Sequence, residues 1–420
     1  MKQHILVISQ YFHPEEFRIN DICKEWIKRG YQVTVVTGIP NYPQGRFYKN
    51  YSWFKKRKEV YKGIKIIRLP IIPRGNNSLM LVLNYLSFVV SGFLWELLTR
   101  VRADKVFIFE VSPMTQALVG VWYAQKRKIP CCIYVQDLWP ENVEAVVGIK
   151  NRQIIGGIDK MVNYIYRNCS VILTTSPSFV RRIEERKAAW DSVGLSKVKY
   201  WPQYAEEFYV PVERKPLQDM PEDDAFKIVF TGNIGYAQGL NILPPVAERL
   251  KERKVNCRFV IIGDGRYRTE LEKALEERNV KDMFWILGRK TPKEIPQYLA
   301  HCDIAFVSFA ENPLFSMTIP AKLQSYIACG MPVLAVASGE TQRIVEEAEC
   351  GWVVPMGDID RLVEAIIAAV ETSAVVCDKM RANALVYCYK YFNKEHLIDI
   401  SEHLWGNMNA NLNRDGYSDI

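Results

Sequence analysis

The sequence predicts an α/β protein made of two parallel-sheet halves. Three observations carry that expectation. Apolar strand runs alternate with helical stripes along nearly the whole chain. A charged, aperiodic stretch with three prolines, residues 205–225, interrupts the rhythm. A new strand, glycine turn and helix then restart it in FKIVFTGNIGYAQGL, residues 226–240. At 420 residues the chain exceeds one ordinary core.

In the first half, HILVIS, a helical stripe over Cys23–Arg29 ending at Gly30, and YQVTVVT form a βαβ opening. The loop after the first strand, QYFHPEEFRIND, places Pro14, Glu15, Glu16 and Arg18 beyond a strand's carboxyl end, where open α/β sheets bind ligands. Arg18 suits a phosphate or carboxylate; a salt bridge to a neighbouring glutamate is the plainer alternative. NYPQG then leads into Lys55-Lys56-Arg57-Lys58, a basic run that lies among Tyr48, Tyr51, Trp53 and Phe54. A solvated face or an interfacial segment both fit that composition.

Residues 79–98 are the most hydrophobic stretch, and a helix of that length reaches about 30 Å. Asn84, Ser87 and Ser91 fall on one side of it, so an interfacial helix, a buried helix and a membrane span all stay open. The span is disfavoured, because the strand KVFIFE follows directly. A helix over Thr115–Arg127, strand CCIYV and the segment QDLWPEN come next, and strands at 171–176 and 198–204 complete the half. QDLWPEN sets Gln136, Asp137 and Glu141 past a strand end, a usual place for chemistry; helix capping or loop bracing is the structural alternative.

In the second half, Gly232, Gly235 and Gly239 punctuate the turn after the first strand. Free N–H groups and a helix dipole converge at such a turn, which makes an anion site. Later strands end in Gly263-Asp264-Gly265 and Gly288-Arg289. Thr318-Ile319-Pro320 enters a helix whose first turn carries Lys322, a second anion-facing start. Two such sites favour a nucleotide diphosphate over turn geometry alone. Asp223-Asp224 reads as linker charge rather than a metal pair, and no Cys/His spacing suits zinc, so no metal is expected.

Net charge is +8, but residues 1–200 hold 31 Lys+Arg against 15 Asp+Glu, and the remainder is acidic. A basic front half suits nucleic acid or an anionic membrane surface; no nucleic-acid-binding pattern follows, which leaves the membrane. The ten cysteines show no CxxC pair and, with no leader ahead of the first strand, read as reduced cytosolic thiols. The first βα turn lacks GxGxxG, which argues against an NAD-dependent enzyme.

The words QYFHPEEFRIND, GIPNYPQG, VQDLWPEN, FTGNIGYAQGL, IGDG and TIPAKLQSYIACGMPVLA span nearly the whole chain. Together they resemble the retaining family 4 glycosyltransferases of GT-B fold, closest to the O-antigen, capsule and colanic-acid subgroup that includes N-acetylfucosaminyl transferases. The resemblance implies two facing Rossmann-like domains: an acceptor domain over 1–205, a nucleotide-sugar domain over 206–384, and a helix over 385–420 crossing back to the first. It implies a nucleotide-sugar donor, with UDP the commonest, and a lipid-pyrophosphate-linked saccharide acceptor met at the inner face of the cell membrane. The nucleotide sugar is a substrate, so no cofactor is implied.

Carried over by position, the resemblance assigns catalysis to Asp137, Lys322 and Glu141. Donor binding falls to Gly232, Asn233, Gly235, Gln238, Gly263, Gly265, Gly288, Arg289, Thr318, Pro320 and Ser325. Acceptor or phosphate contact falls to Glu16, Arg18 and Gln136. Departures are visible. Asn233 and Gln238 replace an Arg and a Lys, Met317 and Ser325 replace two glutamates, and Gln136 stands for a histidine, so Lys322 becomes the expected phosphate cation. Two alternatives remain at this stage, a nucleotide-sugar 2-epimerase and a non-enzymatic nucleotide- or polyanion-binding module.

Overall fold

The computed structural model describes residues 3–144, 148–149, 151–186, 197–220 and 223–406. The chain divides into two compact units, one of residues 1–201 joined by the chain from Ile398, the other of Pro202–Leu397.

The first unit holds an eight-stranded sheet: β1 His4–Ile8, β2 Gln32–Gly38, β3 Lys58–Tyr61, β4 Ile64–Leu69, β5 Lys105–Glu110, β6 Cys131–Val135, β7 Val171–Thr174 and β8 Val198–Tyr200. Its order is β3-β4-β2-β1-β5-β6-β7-β8, and every pairing is parallel except β3 with β4. The sheet's central strands are mainly apolar because helices cover both faces. Helix α1 (Arg18–Lys28) shows how: Ile19, Ile22, Cys23 and Trp26 recur at helical spacing, and all are buried. The chain leaves β1 for β2 and β4, then returns to β5 on β1's other side. That reversal opens a crevice beyond the carboxyl ends of β1 and β5.

Helix α2 (Ser78–Leu98), capped by Asn77, runs with its faces reversed from a soluble helix. Its inward stripe is Asn84, Phe88, Gly92 and Glu96. Asn84 accepts from Gln10 Nε2 (2.7 Å) and donates to the Ile72 carbonyl (2.6 Å). Glu96 pairs with Lys126 (3.1 Å) of helix α3 (Ala117–Arg127). Gly92 sits so close to α3 that a Cβ would lie 2.3 Å from Val119 Cγ2. Leu79, Leu86, Val90, Leu94, Leu97 and Leu98 point away from the unit and are exposed. The buried-helix alternative is therefore corrected: only the stripe of Asn84, Phe88, Gly92 and Glu96 is buried, and Asn84, Ser87 and Ser91 serve the backbone of the 70–72 segment.

The second unit holds six parallel strands: β9 Phe226–Asn233, β10 Cys257–Asp264, β11 Phe284–Gly288, β12 Ile304–Ser308, β13 Val333–Val336 and β14 Gly351–Val354. Their order is β11-β10-β9-β12-β13-β14, with the reversal between β9 and β12. Much of the stretch expected as linker belongs to this unit. Leu217 and Met220 join its core, and Asp223 is ion-paired with Arg258 (2.5 Å) and Lys227 (3.3 Å). The helix Ala374–Tyr391 runs through the expected boundary at 384–385 and keeps Ala384 and Tyr387 in this unit's core. The return to the first unit comes later, in the helix Lys394–Gly406, where Glu402 lies 3.2 Å from Arg29.

Candidate active site

In the second unit the candidate residues gather where β9 and β12 part. β9 ends at Gly232 (φ 125°) and Asn233, and a turn through Gly235 to Gly239 (φ 60°) brings the chain against β12. These glycines are required by close approach. A Cβ on Gly263 would lie 1.8 Å from the Gly232 carbonyl oxygen, one on Gly265 2.2 Å from that of Ile234, and one on Gly239 2.7 Å from the Phe309 backbone. The Ser308 hydroxyl donates to the Gln238 carbonyl (2.5 Å), which ties the turn to β12. The side chains of Asn233 and Gln238 meet each other (3.5 Å) and flank Gly235.

Lys322 is the charge at this place. It lies in the first turn of the helix Ala321–Ala328, which starts after Pro320 with no side-chain cap. Its Nζ is buried, has no hydrogen-bond partner, and sits 3.6 Å from the centre of the Phe230 ring. It is also 3.6 Å from where a Gly232 Cβ would stand. Burial alone lowers its amine from 10.5 to about 7, with no carboxylate among the described residues opposing it. A buried, unsatisfied ammonium is costly unless an anion completes it. One turn on, the Tyr326 hydroxyl accepts the Thr231 N–H (2.7 Å) and so pins β9 to the helix.

Other expected donor residues differ in disposition. Arg289, after Gly288 (φ 69°), is exposed and lies 3.5 Å from Asp264, which also faces Arg268 (3.9 Å). Ser325 turns its hydroxyl back to the Ala321 carbonyl (3.2 Å), and Thr318 to that of Leu314 (3.1 Å). Both hydroxyls thus already serve their own chain.

In the first unit two acids meet at the carboxyl ends of β5 and β6. Glu110, the last residue of β5, is fully buried; its Oε2 accepts the Asp137 N–H (3.4 Å), and its Oε1 has no hydrogen-bond partner. Asp137 accepts the Ser112 N–H (2.7 Å), while the Ser112 hydroxyl accepts from Trp139 Nε1 (3.1 Å) and Asn142 Nδ2 (3.2 Å). Burial pushes both carboxyls up, Glu110 far more, with Asp137's charge adding to it. Gln136 is partly buried, and its backbone N–H donates to the Glu110 carbonyl (2.8 Å).

Two assignments change. Glu141 is not a free acid or base: Arg182 (2.8 Å) and Arg186 (3.6 Å) hold it, bracing the loop after β6 to the helix Pro177–Glu184. Glu16 is exposed, whereas Glu15 is buried and accepts the N–H groups of Asn41 (2.7 Å), Tyr42 (2.7 Å) and Phe12 (3.3 Å). Despite those bonds, burial raises the Glu15 carboxyl to about 7. Arg18 opens α1 within electrostatic reach of Tyr134 in β6. Sequence reasoning missed Glu110, Ser112 and Tyr326. Glu110 left one signal, a lone acid closing the apolar strand KVFIFE. Among the described residues no group of three or more His, Cys, Asp or Glu is arranged to hold a metal ion.

Residues 16–192 match the glycosyl transferase 4-like domain, and residues 214–386 match the family described as glycosyl transferases group 1. The chain is thus similar to the glycosyl transferase 4-like domain over its first unit and to the group 1 glycosyltransferases over its second, which supports a glycosyltransferase. WcaI of Escherichia coli K12, named for a glycosyl transferase of colanic acid biosynthesis, is 25% identical over 414 residues, covering 94% of this chain and 97% of its own. Among solved structures, sucrose-phosphate synthase from Thermosynechococcus elongatus superposes with a TM-score of 0.73 at 17% identity, covering 98% of this chain and 100% of that one. Anabaena Alr3699/HepE in complex with UDP and glucose gives 0.65 at 14%, covering 96% and 99%. These likenesses establish the GT-B fold for this glycosyltransferase. Each of its Rossmann-like units presents its candidate residues at a strand-order reversal, as open α/β sheets do.

Proposed function

We propose that this glycosyltransferase moves an N-acetylated or deoxy hexose from a nucleotide sugar, with UDP as the nucleotide, to a lipid-pyrophosphate-linked saccharide, with retention of configuration. The observation that carries the donor side is Lys322: a buried, unpartnered amine beside the glycine-lined end of β9 suits a diphosphate. On binding, the diphosphate supplies the missing counter-charge, and Lys322 with the N–H groups of the turn stabilises it as it leaves. No metal is needed in this reading, since a cation and a helix start already face the phosphates. In the first unit Asp137, held by Ser112, orients the acceptor or sugar.

The polysaccharide setting is supported by the relatives, named for biosynthesis of colanic acid and of amylovoran. We place the enzyme in the cytoplasm, peripheral on the inner face of the cell membrane. The exposed apolar face of α2 and the basic front half support that placement.

The test is release of nucleoside diphosphate from UDP-, GDP- and dTDP-sugars, with and without a polyprenyl-pyrophosphate-linked sugar, beside Lys322→Ala. Acceptor-dependent release from one donor, lost in the variant, is the expected result. Release indifferent to the acceptor would replace transfer by hydrolysis or epimerisation.

A further inference from the structure

Beside α2 the first unit presents a second apolar feature, built by local hydrogen bonds rather than left over from packing. Residues 52–55 form a tight turn. Lys55 N donates to the Ser52 carbonyl (3.3 Å), Ser52 N to the Lys55 carbonyl (3.4 Å), and the Ser52 hydroxyl accepts the N–H groups of Phe54 and Lys55. Two further bonds hold the turn to the chain beside the sheet, Trp53 Nε1 to the Ile71 carbonyl (2.8 Å) and Arg57 Nη1 to the Trp53 carbonyl (3.1 Å). The apex of this rigid turn is Phe54, 91% exposed, next to Trp53 at 48%. A phenylalanine that open has no role in the core, and it is held in place by bonds that do not need its ring.

Trp53 and Phe54 line one groove with Val90 and Ser91 of α2, so the turn and the helix's exposed side are neighbours on one surface. The charge around the turn is one-sided. Arg46, Lys49, Lys55, Lys56, Lys58 and Lys62 are exposed, and the one acid between residues 46 and 62, Glu59, is spent on the fully buried Arg68 (3.0 Å). Aromatic side chains at an apex, ringed by lysines and continuous with an aliphatic helix face, match the layers of a leaflet: hydrocarbon, interface and anionic headgroups.

We propose that the Trp53–Phe54 turn inserts into an anionic bilayer leaflet alongside α2, as a second and separately built anchor. The inference rests on the membrane contact proposed above. α2 supplies apolar area along its length, the turn supplies a rigid wedge, and the lysines hold the wedge against the headgroups.

Partition of the full chain into sedimented vesicles tests this, with phosphatidylcholine alone and mixed with phosphatidylglycerol. The wild type should bind the anionic vesicles and release with salt. Phe54→Glu should bind them about ten-fold or more weakly, while Phe54→Trp should bind as well as the wild type. Both substitutions sit at an exposed apex, and equal thermal melting would show intact folding. Equal binding of the wild type and Phe54→Glu would overturn the wedge and leave α2 as the anchor. A wild type that binds no vesicle would overturn the membrane contact itself, and a wild-type dimer broken by Phe54→Glu would assign the surface to a second copy instead.

Discussion

Replacing Lys322 by methionine should make the ligand-free protein more stable and the enzyme unable to hold its donor. The amine is buried, has no hydrogen-bond partner, and falls from 10.5 to about 7. Because the folded value lies below the unfolded one, the native state disfavours the charged form. The penalty is complete below about pH 7, shrinks as pH rises, and vanishes near 10.5. Its full size is on the order of 5 kcal/mol. Methionine keeps an apolar contact with Phe230 and removes the penalty, so Lys322→Met should raise Tm at pH 6 by roughly 10–20 °C, at roughly 2–4 °C per kcal/mol in a unit of this size. The gain should fade as pH approaches 10.

Binding runs the other way. A diphosphate needs the ammonium, so removing it should weaken the affinity for nucleoside diphosphate by roughly 30- to 1000-fold, or about 2–4 kcal/mol. In the wild type, binding should take up a proton, and Kd should rise about ten-fold per pH unit above 7. Differential scanning fluorimetry across pH and calorimetric titration with UDP read both effects. A Lys322→Met protein that melts lower at pH 6, or binds UDP as the wild type does, would refute the reasoning.

Three further outcomes are expected. Gly263→Ala places a Cβ 1.8 Å from the Gly232 carbonyl oxygen at a φ of 155°, and should cost about 3 kcal/mol or more and abolish UDP binding, read by melting and calorimetry. Glu15 has a folded value of about 7, above its usual 4.5; its stabilising contribution is complete below 4.5 and lost as pH rises through 7, so Glu15→Gln should flatten the stability–pH curve in that window. Asp137→Asn should lower kcat at least about ten-fold with UDP affinity unchanged, since Asp137 belongs to the first unit and Lys322 to the second; a loss of UDP affinity would contradict that division.

The glycine-lined end of β9 and the lysine beside it were legible in the sequence because they are local. A strand, a glycine turn and a helix start lie within residues 226–243, and Lys322 follows Pro320 by two positions. Hydrophobic periodicity and glycine chemistry act over such short spans, so they revealed the α/β rhythm and the restart after the linker. Strand order decided the rest. Glu110 and Asp137 are 27 residues apart and meet only because β5 and β6 are adjacent. Glu15 and Glu16 are indistinguishable as letters, and the turn at Asn41–Tyr42 selects Glu15 by offering it two N–H groups. The linker stretch looked solvated by composition, yet its leucine and methionine found a core to enter. For α2 the sequence supplied both faces, apolar and polar, but not which one would turn inward. That choice came from the 70–72 backbone and Gln10, whose hydrogen-bonding groups needed Asn84, Ser87 and Ser91 more than the core needed leucines.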